Sequence, residues 1–161
     1  VGMNKLFLLP AIILLFTAEA FSLNQSDFES KVDFSLTLKE LNTLIEKDQT
    51  NAAPRQKFII LTGTVSNIAI IDETTASYTA QVELTGGEWI DVEEVKSYQV
   101  LIRFSGSEFE KYFNKQRGSD APKEKIDVNS TVLIVAQILS PSTYNGKTIW
   151  LLKGFQVRKL E

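Results

Sequence analysis

Neither a histidine nor a cysteine occurs among the 161 residues. These two absences exclude Cys/His zinc sites, Ser-His-Asp and Cys-His catalysis, thiol redox chemistry, disulfides and lipid attachment through a thiol. Enzymes built on carboxylates, lysine or tyrosine pass that filter; most other catalytic constellations do not. An excess of positive charge is also missing. Seventeen Lys and Arg against 20 Asp and Glu leave a net charge of −3, so no general basic coat for nucleic acid is present. What remains is an ordinary globular composition, 43% hydrophobic and 23% charged, at a length that predicts one domain.

A long apolar run is lacking too. Residues 6–16 are apolar apart from the breaker Pro10. They make about 16 Å of helix, roughly half of what a bilayer core needs. Lys5 stands before this run and Ala18-Glu19-Ala20 after it. That is the order of a secretory signal: a positive start, an apolar stretch, and small residues at the −3 and −1 positions of a cleavage site. Residues 1–20 are therefore expected to be a signal peptide cut after Ala20, which makes the protein secreted or periplasmic with no stable membrane anchor. A buried N-terminal helix or an uncleaved anchor is the alternative. Without disulfides the exported chain must rely on its core, and a chain of this size buries roughly two-thirds of its unfolded surface.

Residues 21–35 read as a flexible lead-in, and 36–161 as the folded domain. Thr37-Leu38-Lys39-Glu40 has the form of a capping box, and Leu38, Leu41, Leu44 and Ile45 repeat at helical spacing. A helix is predicted from Thr37 to about Asp48. From Lys57 the period becomes two. Strands are predicted at 58–71, 78–84, 98–104, 131–139 and 148–158, the first bent at Gly63. Gly86-Gly87 is read as opening a wide connection, Ser107-Glu108-Phe109-Glu110 as a second capping box starting a short helix, and Asn145-Gly146 as a hairpin turn. Five strands, with a helix before the first and a short helix between the third and fourth, are the order of a five-stranded OB-fold Greek-key barrel.

With those elements placed, the chain resembles the tRNA-anticodon-binding-like OB-fold family of small bacterial secreted and envelope proteins. The matching features are the helix, the loop Asn51-Ala52-Ala53, the strand Leu61-Thr62-Gly63-Thr64-Val65, the strand Val100-Leu101-Ile102-Arg103-Phe104 and the strand at 132–136. The resemblance covers about residues 37–158 and implies an OB barrel with a nucleic-acid-binding role. Many members carry a lipoprotein cysteine. This chain has none, so tethering does not carry over.

Charge is unevenly spread along the chain. From Asp72 to Glu94 there are seven acids and no base, and from Lys96 onward eleven bases stand against six acids. Arg103, Lys123, Lys125, Tyr144, Lys147, Trp150 and Lys153 are the candidate polyanion-binding residues: cations for phosphates, aromatic faces for bases. The bland reading makes them a solvated surface, with Trp150 in the core. The pleat is read as turning Tyr78, Tyr98 and Phe104 inward and Thr79, Gln81, Glu83, Gln99, Leu101 and Arg103 outward. Glu88, Trp89, Asp91, Glu93 and Glu94 form an alternative acidic site for a protein partner, a cationic small molecule or a metal, although their spacing is not that of an EF-hand. As a hydrolase pair, Asp91 and Glu94 would have to face each other across a cleft. The expected function is non-catalytic binding of single-stranded oligonucleotide or another polyanion, with no cofactor; the alternative is an envelope interaction module using the acidic loop.

Overall fold

The computed structural model describes residues 24–113 and 124–160, so the segment expected to be a signal peptide and Lys123 lie outside the described residues. The chain runs through helix α1 (Gln25–Lys31), the short strand β1 (Val32–Asp33), helix α2 (Leu38–Glu46) and strands β2 (Phe58–Asp72), β3 (Thr79–Asp91) and β4 (Glu94–Ser105). Helix α3 (Glu110–Phe113) follows, then β5 (Thr131–Tyr144) and β6 (Lys147–Lys159). The sheet order is β1-β2-β3-β4-β6-β5, and β5 pairs back onto β2 to close five of the strands into a barrel. Strands β4 and β6 run parallel; the other barrel pairs are antiparallel. This is the OB-fold.

Alternation dictates the core. Ile59, Leu61, Val82, Leu84, Val100, Ile102, Ile134, Ala136 and Leu152 all point inward and are buried. The predicted inward tyrosines and Phe104 are buried as well. Closure depends on one strand serving both sides. Residues 58–64 of β2 pair with β5 and residues 64–72 pair with β3, with Thr64 in register with both Thr131 and Thr85. Gly63 sits at that change of partner. A Cβ placed there would stand 2.7 Å from the Thr85 carbonyl oxygen, so only glycine lets β3 approach.

Helix α2 begins with the predicted capping box. Thr37 accepts from the Glu40 amide, and Glu40 accepts in return from the Thr37 amide. The helix buries Leu38 and Leu41 against one end of the barrel. The hairpin turn is likewise present, with Asn145 (φ 50°) and Gly146 (φ 77°) both left-handed, as a two-residue turn matching strand twist requires.

Several expectations are corrected. The lead-in carries secondary structure from residue 25: Asn24 caps α1, and β1 adds to β2 with Val32 opposite Phe58. Helix α1 buries no residue, so it lacks the apolar stripe that would have revealed it. Among the described residues the Ser107 side chain makes no capping bond. The chain tightens there into a 3₁₀ turn behind Gly106, which seats Phe109 and Phe113 each 5.1 Å from the Phe104 ring. Gly86-Gly87 opens no wide connection, because β3 runs on through it to Asp91 and returns directly as β4, in register from Gly86 with Tyr98 to Asp91 with Glu94. Leu101, expected outside, is buried.

Replacing Gly63 with alanine is expected to cost about 1–3 kcal/mol of stability through overpacking against backbone. The neighbouring exposed Thr62→Ala should stay within about 0.5 kcal/mol. Urea midpoints at equal slope check both.

Candidate nucleic-acid interface

The barrel wall carries one continuous row of outward side chains. Ala69 of β2 faces Gln81 of β3, Gln81 faces Arg103 of β4, Arg103 faces Lys153 of β6, and Lys153 faces Gln137 of β5, which returns to Phe58 of β2. No carboxylate stands in this row. Arg103 and Lys153 are exposed cations in direct register on strands about 4.8 Å apart. Like charges so placed oppose folding. Among the described residues neither has an ion pair to relieve this. Arg103 Nη2 donates to Gln81 Oε1 at 3.2 Å, and the Lys153 ammonium lies 5.0 Å from the centre of the Phe155 ring. Phe155 meets Phe58 edge-on at 5.0 Å and remains 36% exposed. The wall thus offers two cations, neutral amides and an accessible aromatic face.

The predicted binding residues divide. Arg103 and Lys153 are brought together. Tyr144 and Lys147 face each other across the β5–β6 hairpin end, six positions and about 20 Å up the strand from Lys153. Trp150 is a correction, since it is fully buried and its indole Nε1 donates to the Leu41 carbonyl oxygen at 2.7 Å. No face is left for a base. Lys125 is a correction too: it is buried, with its ammonium 3.4 Å from the Asp127 carboxylate. Phe155 and Phe58 were not anticipated. Phe155 is the extra residue of a β-bulge in β6, because Val135 pairs with Gln156 and Ala136 with Gly154. The Gly154-Phe155 step was the available signal.

The acidic residues divide as well. Glu88 lies at the base of the long β3–β4 hairpin and is fully engaged, taking the Lys39 ammonium at 2.9 Å and the Tyr98 hydroxyl at 2.6 Å. Lys96 across the hairpin pairs with Glu46 of α2 at 2.9 Å. These contacts fasten α2 over the hairpin base. Trp89, Asp91, Glu93 and Glu94 project at the hairpin tip, all exposed. Asp91 and Glu94 are cross-strand neighbours flanking a turn, not carboxylates opposed across a cleft as a hydrolase pair needs. Among the described residues no group of acidic side chains is clustered closely enough to hold a metal.

Titration of the base follows from its contacts. The Lys39 ammonium, then the Tyr98 hydroxyl, hold the Glu88 carboxyl below the usual carboxylate range. Tyr98 is pushed up to about 12, first by donating to Glu88 and then by burial. Tyr78 is raised by burial, with Glu110 and Glu73 adding to the effect, and its hydroxyl finds no partner among the described residues.

No family model matches the chain, and no curated protein does. Solved structures do. The chain is similar to the dimeric N-terminal domain of a PriB protein from Thermoanaerobacter tencongensis, at 16% identity and a TM-score of 0.40 over 65% of this chain and 96% of that one. It is similar to the Plasmodium falciparum SSB in complex with ssDNA, at 18% identity and a TM-score of 0.41 over 65% and 94%. A small single-stranded DNA-binding protein from Streptomyces coelicolor is similar at 11% identity and a TM-score of 0.41 over 63% and 90%.

The raised Tyr98 value gives a signed expectation. A phenol whose pKa is higher in the folded state contributes stability that is intact below its ordinary value of 10 and is lost as pH rises towards about 12. In an ultraviolet titration of the folded protein Tyr98 should ionise late. Glu88→Gln should bring Tyr98 back towards 10 and leave Tyr78 late.

Proposed function

We propose that the protein is a non-catalytic OB-fold binder of single-stranded nucleic acid, held as a polyanion on the outer wall of β4 and β6. One observation carries this reading: Arg103 and Lys153 stand in register, exposed and with no carboxylate partner among the described residues, beside the half-open Phe155 ring. An anion bridging the two cations turns their mutual repulsion into attraction, and a flat base can stack on the phenyl face. Lys147 and Tyr144 at the hairpin end extend the track by about 20 Å. The acidic β3–β4 hairpin bounds it, since its carboxylates repel phosphate.

The test is anisotropy of a labelled single strand titrated at several salt concentrations. Binding should be tight at low salt and weaken steadily as salt rises. Lys153→Ala should lower the salt slope by about 1, and Phe155→Ala should weaken binding by about 1–3 kcal/mol. Absence of binding at low salt, or indifference to Arg103→Glu with Lys153→Glu, would sink the reading.

The same proposal places the protein outside the cytoplasm. Its support is the order of charge, apolar run and small residues over 3–20. Terminal sequencing of the extracytoplasmic protein should give a chain beginning at Phe21; a retained residue 3–20 segment would contradict it.

A further inference from the structure

The tip of the β3–β4 hairpin is the most apolar exposed part of the described chain. Trp89 is 74% exposed, Ile90 54%, Val92 89% and Val95 50%. Single exposed apolar residues need no explanation, but four within seven positions on one projecting hairpin form a patch. Its only charges beyond the base are Asp91, Glu93 and Glu94, so a surface that covers it must be apolar and cationic. This chain owns such a surface. The wall formed by Phe58, Phe155, Arg103 and Lys153 joins the exposed Phe155 ring and the half-buried Phe58 ring to cations that have no ion pair among the described residues.

We propose that two copies of the chain associate by laying the Trp89–Glu94 tip of each on the Arg103–Lys153 wall of the other. The contact has to form between molecules. Glu94 and Arg103 are nine positions apart on the same strand, about 30 Å, and the paired arms of the hairpin keep the tip from folding back. Because tip and wall lie along one strand, two copies set antiparallel satisfy both contacts at once. That arrangement is closed and two-fold, with residue i meeting j and j meeting i. Tip-to-tip pairing is disfavoured, since it would bring six carboxylates together. The wall is the one proposed above for polyanions, but the contact itself requires no nucleic acid.

Sedimentation velocity of the purified protein, free of nucleic acid, tests this across a concentration series at low and high salt. A reversible dimer is expected, weaker at high salt. Glu93→Lys with Glu94→Lys should weaken it about tenfold or more, as should Arg103→Glu with Lys153→Glu. Mixing these two variants should restore the dimer, because each then meets the opposite charge on both contacts. Trp89→Ala should weaken the dimer with the circular dichroism spectrum unchanged. A monomer at every concentration overturns the proposal. So does a dimer indifferent to either charge reversal, or a mixture of the two variants that stays monomeric. The polyanion reading fails or stands separately, on the oligonucleotide titration.

Discussion

One buried hydrogen bond holds the architecture to its surface features. The Trp150 indole, at the inner face of β6, donates to the main-chain oxygen of Leu41 in the middle of α2. An indole N–H buried without an acceptor costs about 1–3 kcal/mol, and a carbonyl has two lone pairs, so Leu41 can serve both its helix and the tryptophan. The bond fixes α2 across the barrel end. From that position Leu38 and Leu41 complete the core, Lys39 reaches Glu88, and Glu46 reaches Lys96. The hairpin direction is set in turn, because both of its arms are tied to the helix. A side chain that looked like a ligand contact is instead what aims the surfaces that remain free.

Charge follows a simple division. Near α2, acids and bases neutralise each other in short pairs, leaving little for a ligand. Further out they separate: carboxylates and apolar side chains on the hairpin tip, cations and phenyl rings on the wall. The net charge of −3 is the sum of these unlike regions and describes neither. A screened surface pair contributes little to stability. The charged groups with no ion pair among the described residues are where binding energy can still be gained.

How much of this could be read from the sequence depends on periodicity. The strands, their order, the α2 capping box and the Asn145-Gly146 turn are local patterns, and each survives in the structure. The change of strand partner beside Gly63 was legible from the glycine itself, which a long strand carries at a bulge, a bend or a close backbone approach. Bulges defeat a period-two reading, and both Phe155 and Ile90 sit at bulges that turn them outward. The hairpin arms were missed because two glycines and a run of acids look like a loop, whereas backbone pairing with β4 overrides that propensity. Trp150 was ambiguous between core and site. Its acceptor lies 109 residues away, a distance no local pattern spans. Lys125 was misjudged because nothing in its neighbours announces that it is covered.

The closure of β2 onto β5 has a kinetic side. Its pairs join residues as distant as Phe58 and Gln137, 79 positions apart, whereas the β3–β4 and β5–β6 hairpins join near neighbours. The hairpins form in about 1–10 μs, but a long-range pairing must first meet the entropy of closing its loop. Topologies dominated by such contacts fold in about milliseconds to seconds. During that interval β2 exposes the unpaired edge that β5 will later cover, so the nascent barrel is most open to wrong partners along the strand that finally seals it.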